Sequence, residues 1–270
     1  MKRLVLMIIP VLICGMALNS CDTKTDDESR IDIITDINYP TTIRRLSEET
    51  LMRMRNDYAQ RNPFFFSNIN QFGFCAIVEG SYGLPVPPDE VFAEEEAIAS
   101  VKEFVSRNPE YTGIKNLDDI HFERVTQSVG TNGNITWVLR TKNQTFNETE
   151  IMSTGFVFHT KYREVVGAWG RNFPSVYIPE KFNFTVEQAK SKLLGKEVIH
   201  LGWAGQYSLG KIKKEHLQEA TTDLIIVPII TEEKIELRIT WKIYLASLYY
   251  IYYIDVMTGK IIQEEPTIIA

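Results

Sequence analysis

The stretch from Ile235 to Pro266 constrains this chain more than any other. It reads as three short strands in succession: Ile235 to Tyr244, Tyr249 to Val256, and Lys260 to Gln263. Ile, Tyr, Val and Trp suit a pleated, half-buried surface, so the segment predicts strands. Met257-Thr258-Gly259 joins the last two, with glycine where a tight turn takes positive φ. The same pattern occurs once before. Ile135-Thr-Trp137 recurs as Ile239-Thr-Trp241, and Phe158-His159 with Val165-Val166 recur as Ile254-Asp255 with Ile261-Ile262. Repetition at matched spacing argues for one supersecondary unit used twice.

Each copy is preceded by a helical pattern. Glu94 to Arg107 places Ile98, Val101 and Val105 on one face and stops at Asn108-Pro109. Thr185-Val-Glu-Gln188 is a capping box, with Val186, Ala189 and Leu193 as the apolar face and Gly195 as the stop. Between this helix and the final strands lie an expected hairpin, Val198 to Ile212, a helical turn at Glu215 to Ala220, and a strand at Leu224 to Ile230. Pro228 inside that strand predicts an edge or a bulge. A helix with one apolar face and a sheet with one bare face bury each other. The expected class is therefore α+β: tandem modules, each one helix on an antiparallel sheet. Residues 85–178 form the first module and 179–270 the second. The stiff Leu84-Pro-Val-Pro-Pro-Asp89 is the boundary, and residues 46–84 are a helix-and-strand extension.

The first twenty residues carry an address. Lys2 and Arg3 precede an almost wholly apolar run from Leu4 to Leu18, the layout of a secretory signal. It closes on Leu18-Asn19-Ser20-Cys21, which resembles a bacterial lipobox. That likeness implies that Cys21 becomes the lipidated first residue, held to a membrane through its lipid. An ordinary signal peptide or an uncleaved anchor is the alternative. Asp22, Asp26, Asp27 and Glu28 follow, and residues 21–45 suit an acidic tether. They are similar to the export signal of surface lipoproteins of Bacteroidota, so the expected location is the bacterial cell envelope, at the outer membrane. Without Lys2 and Arg3 the formal charge of −6 becomes −8, and no basic stripe points to nucleic acid. Cys75 is expected to be a small buried apolar residue.

Tyr252-Tyr-Ile-Asp255-Val-Met-Thr258-Gly259-Lys-Ile-Ile262 resembles the ending of PepSY-type domains. The pairing with an upstream unit resembles the pro-regions of thermolysin-like and fungalysin-like metalloproteases, over roughly Glu94 to Glu265. In the upstream copy His159 replaces the aspartate and Arg163 the glycine. The resemblance implies a cystatin-like fold. It also implies a role tied to peptidases, since such pro-regions inhibit and help fold their cognate enzymes. The expected partner is a secreted or envelope peptidase, which the module would bind and inhibit or chaperone. The alternative is a surface scaffolding or glycan-binding and protein-binding lipoprotein with no link to peptidases.

The residues offer little for catalysis. His-Glu-x-x-His is missing; the histidines are His121, His159, His200 and His216. Gly80-Ser-Tyr-Gly83 lacks the spacing of a nucleophile elbow, and Ser208-Leu-Gly-Lys211 has no companion motif. His200 and His216, with Glu215, are of the types that hold zinc, but surface histidines are far commoner. No enzyme, cofactor or metal is expected. Asp255 and Gly259 are expected to build the turn, the carboxylate accepting backbone N–H groups. Alternation puts Tyr250 and Tyr252 on one face of their strand, where exposed phenols would anchor a partner. Four Asn-x-Thr triplets, at Asn134, Asn143, Asn147 and Asn183, carry no meaning in a bacterial lipoprotein.

Overall fold

Fifteen strands and five α-helices are seen among the residues that a computed structural model of the chain describes, which are 35–62, 66–79, 92–129, 135–161, 163–202 and 205–267. The architecture is mixed α+β, and Ile33–Ala270 form one compact unit. The signal segment, Cys21, the Gly80-Ser-Tyr-Gly83 stretch and the proline-rich boundary lie outside the described residues, as does the side chain of Cys75. Among the described residues no helix is long and apolar enough to cross a membrane.

The chain opens with β1 (Thr41–Arg44) and α1 (Glu48–Arg61), whose N-cap Ser47 accepts a bond from Thr50 N. Strands β2 (Phe66–Ile69) and β3 (Cys75–Glu79), helices α2 (Glu94–Arg107) and α3 (Pro109–Thr112), and strands β4 (Phe122–Val129) and β5 (Ile135–Thr141) follow. A small hairpin, β6 (Thr145–Phe146) and β7 (Thr149–Ile151), precedes β8 (Gly155–Lys161) and β9 (Glu164–Arg171). The second half holds α4 (Val186–Ser191), β10 (Glu197–Gly202), β11 (Gly205–Lys211), α5 (Lys214–Gln218), β12 (Thr221–Ile230), β13 (Lys234–Leu245), β14 (Tyr250–Asp255) and β15 (Ile261–Pro266).

Two large sheets result. The first has the order β2-β3-β9-β8-β5-β4. Leu51 and Tyr58 of α1, and Val101 and Phe104 of α2, bury one of its faces together with Leu139, Phe156 and Phe158. Of the segment read as an extension, residues 46–62 and 66–79 are described: α1 carries an apolar face to this sheet and β2 and β3 join it, while Phe72 and Phe74 pack in the other core cluster. The second sheet runs β15-β14-β13-β12-β7-β6, and β1 also pairs with β13. Its face is covered by Ala189 of the short α4, by Leu193 just past that helix, by Val198 of β10, and by Ile212 just past β11. This sheet is not wholly antiparallel, since β7 runs parallel to β12. β7 pairs with β12 only at Ile225 and Ile226, so Pro228 sits where that edge is bare.

The modules interlock. The β6–β7 hairpin lies in the first module's sequence and the second sheet. The tether boundary at residue 45 is also corrected, because β1 zips onto Ile235 and Leu237 of β13. Asp36, just before β1, is tied as well, its carboxylate accepting from the Tyr177 phenol at 2.7 Å.

The internal repeat has a physical counterpart. Trp137 Nε1 donates to Phe92 O at 2.9 Å, and Trp241 Nε1 donates to Phe184 O at 2.9 Å. Each phenylalanine precedes the N-cap of its module's helix. Each helix has its third residue reaching back: Glu96 accepts from Ala93 N and Gln188 accepts from Thr185 N, both at 2.9 Å. The same indole thus fixes the same helix entrance twice.

The register of the repeat differs from the sequence match. Trp137 pairs with Thr160, and Trp241 pairs with Ile254. A bulge follows His159 in one hairpin and Tyr253 in the other. Thr160, not Phe158, therefore stands where Ile254 stands, and Asp255 corresponds to Lys161 rather than to His159. The first hairpin turns tightly, with Lys161 opposite Glu164, whereas the second is closed by Asp255 N to Lys260 O at 2.9 Å. The longer turn absorbs the slip. Arg163 and Gly259 both take the left-handed conformation, at φ 60° and 63°.

The two indole bonds lie in separate core clusters with no shared partner. Trp137→Phe and Trp241→Phe are each expected to cost about 1–2 kcal/mol, near the net worth of one hydrogen bond plus lost contact. Urea denaturation of the double variant should give the sum of the two. A markedly non-additive cycle would show that the two entrances are one cooperative unit.

Candidate functional site

The turn residues singled out by sequence sit at a closed node. β13 alternates, with Ile235, Leu237 and Ile239 in the core and Lys234, Glu236 and Arg238 on the other face. Asp255, at the end of β14, is 0 % exposed. Its Oδ1 accepts from Met257 N at 2.9 Å and Thr258 N at 2.8 Å, which shapes the turn to Gly259. Its Oδ2 accepts from Arg238 Nη1 at 2.9 Å and lies 2.9 Å from Tyr39 Oη. Arg238 also grips Glu236 Oε2 through Nε and Nη2, at 2.9 and 2.7 Å, and Lys234 bonds the other oxygen of Glu236.

Tyr39 belongs to the stretch read from sequence as tether. Its hydroxyl accepts from Ile239 N at 3.0 Å, and it has one proton to give. Asp255 Oδ2 is nearer than Ile239 O, which lies at 3.2 Å, and it is charged, so the proton goes to the carboxylate. Burial, and then the Asp255 charge, push the phenol above its ordinary range. Burial alone would lower the Arg238 pKa, but its bonds to Asp255 and Glu236 outweigh that and raise it. The Lys234 bond, helped by Arg238, holds Glu236 below the ordinary 4.5. Every oxygen of Asp255 is satisfied inward, so the node is a fastening with no group aimed at a ligand.

Tyr250 and Tyr252 are not an exposed pair. They are 7 % and 1 % exposed and pack with Ala189, Leu193 and Val198. The alternation along β14 is as read, but the helix and the β10–β11 hairpin cover the Tyr250–Tyr252 face. Tyr253, on the opposite face, is covered by Ile225 and Val227. The zinc alternative finds no cluster. His200 packs at a tilt against Tyr207 and Tyr250, while His216 Nδ1 accepts from Lys213 N at 3.2 Å. Among the described residues no group of three or more His, Cys, Asp or Glu is placed to hold a metal. Ser208 donates to Glu197 Oε1 at 2.7 Å.

An open groove lies elsewhere, on the face of the first sheet away from α1 and α2. Its cavity is about 510 Å³, and it is lined by Trp169, Val157, Arg140, Lys142, Glu123 and Glu150 among others. Strand register sets a row across the sheet: Trp169 opposite Val157, Val157 opposite Arg140, and Arg140 opposite Arg124. Trp169 is 43 % exposed, and His159 stacks on it at 4.6 Å between ring centres. Burial lowers the pKa of that imidazole, which favours its neutral form. Unlike Trp137 and Trp241, Trp169 has no partner for its indole N–H among the described residues. A Cβ on Gly170 would lie 2.1 Å from Gly155 O, so close strand approach requires glycine beside the indole. Sequence reading passed over Trp169 as one more strand residue. The available signal was its setting, Gly167-Ala-Trp169-Gly170, in a strand with glycines on both sides.

No family model matches the chain, and no curated protein matches it. Among solved structures it is similar to the Bacillus megaterium YpeB C-terminal domain, at 12% identity and a TM-score of 0.34, covering 83% of this chain and 99% of that one. A likeness so loose adds nothing to what the topology states.

Asp255→Ala is expected to cost about 3–5 kcal/mol, because it strands the half-buried Arg238, while Tyr39→Phe costs about 1 kcal/mol. A loss below 1 kcal/mol for Asp255→Ala in urea denaturation would contradict the node. Glu236, with its folded pKa depressed, stabilises fully above its unfolded pKa near 4.5, and that contribution fades as pH falls through the lower folded value. Glu236→Gln should therefore flatten the fall in stability below about pH 4.5. An unchanged acid slope would count against it.

Proposed function

We propose that the chain is a non-catalytic lipoprotein of the bacterial cell envelope, built from two PepSY-like, cystatin-like modules, which binds and inhibits or chaperones a secreted peptidase. What supports this is the use of the likeness-bearing segment. Tyr252 to Ile262 closes a helix-on-sheet unit, and its aspartate is consumed in holding the fold. The residues that resemble a pro-region ending thus act as a scaffold, as binding modules need and active sites do not. Cys21 carries the lipid in this reading.

A second reading, a surface glycan-binding or scaffolding lipoprotein, is favoured by the groove on the first sheet, which presents an exposed indole beside cations that make no hydrogen bond or ion pair among the described residues.

Titrating the purified full chain against a thermolysin-type peptidase secreted by the same cells tests the first reading. Activity should fall to an equimolar end point, or refolding yield of the denatured enzyme should rise. No change in either at large excess would overturn it. For the anchor, Cys21→Ser should abolish incorporation of labelled palmitate and move the protein out of the membrane fraction; label retained by the variant would refute lipidation there.

A further inference from the structure

We infer that the groove on the open face of the first sheet binds an acidic polysaccharide, with Trp169 as the stacking platform and Arg140, Arg124 and Lys142 as the carboxylate-binding groups. The inference deepens the glycan-binding reading and is independent of the peptidase reading.

Charge complementarity carries it. Arg124 and Arg140 stand directly opposite each other on β4 and β5, and both are exposed. Like charges at facing positions destabilise a sheet. Among the described residues neither guanidinium, nor the Lys142 ammonium, makes an ion pair or side-chain hydrogen bond; Arg140 and Lys142 line the groove with Glu123 and Glu150, and Arg124 stands beside it, across from Arg140. The protein as a whole is acidic, at −6. A cluster of unpaired cations on an acidic chain is a local cost that an anionic ligand would remove.

The rest of the groove identifies the ligand's class. Glu123 and Glu150 line the same cavity without pairing to these cations, and Asn143 Nδ2 holds Glu150 Oε1 at 2.7 Å. A purely acidic peptide would meet these carboxylates as repulsion. A sugar chain meets them with hydroxyl donors while its carboxylates meet the arginines. The indole suits the same ligand, because a flat apolar face packs on the C–H face of a sugar ring. His159 packs against that ring at a tilt from the neighbouring strand. Geometry agrees. Trp169 and Arg140 are two strands apart, roughly 10 Å at the usual strand spacing, and Arg124 is one strand further. A sugar stacked on Trp169 therefore directs its neighbours along the row toward the guanidinium groups.

Affinity electrophoresis of the full chain through gels containing polygalacturonate, alginate or hyaluronate tests the proposal. At least one should retard the protein, less so as salt is raised. Trp169→Ala and Arg140→Ala should each weaken that retardation tenfold or more, with unchanged thermal melts, while Arg53→Ala on α1 should have no effect. Retardation by polyglutamate as strong as by the acidic glycans would overturn the proposal in favour of an acidic-peptide surface. Trp169-dependent retardation by neutral dextran alone would overturn the acidic class but keep the glycan-binding reading. No retardation by any of the glycans would sink both.

Discussion

The second sheet depends on one seam. β13 is long enough to have two neighbours on the same edge, β1 along Lys234 to Leu237 and β14 from Thr240 onward. Between them Ile239 has backbone groups that neither strand reaches in regular register. Val256 N takes the carbonyl at 3.0 Å, and the Tyr39 hydroxyl accepts from the amide. Asp255 then joins that phenol, Arg238 and the following turn. An orphaned backbone pair or an unpaired carboxylate at this depth would each cost several kcal/mol, so one side chain from the start of the fold and one from its end are held together.

The two sites divide the polar chemistry in opposite ways. At the seam each charged group is matched inward, which leaves it no capacity for a ligand. On the first sheet the charges face outward and lie across from their own kind. The helices cover only one side of that sheet, so its other side is where exposed groups can accumulate without disturbing a core.

Much of the fold was legible because its signals are local. The three terminal strands, the Thr185–Gln188 capping box, the proline at a bare edge and the αL glycine each follow from a few adjacent residues. The doubling was legible through the tryptophans, because their indoles perform one task twice. What escaped has a nonlocal cause. Alternation separates Tyr250 and Tyr252 from Tyr253 but does not say which face meets the helix. The part played by Tyr39 depends on a partner some two hundred residues away, and its acidic surroundings read as tether. The shifted counterpart of Asp255 arises because hairpins of different turn length preserve their strands and not their residue count. Trp169 reads like Trp137 and Trp241, since strand propensity is blind to which side a sheet leaves uncovered.

The placement of β1 has a consequence for biogenesis. The first strand among the described residues has as its described sheet neighbour a strand some two hundred residues later. Until Lys234 to Leu237 exist, Thr41 to Arg44 wait with open edge groups, and the Tyr39 ring has no receptor. Such late closure is slow to fold and prone to wrong pairing. During synthesis β1 would stay unfastened, and would lock only when β13 arrives beside it.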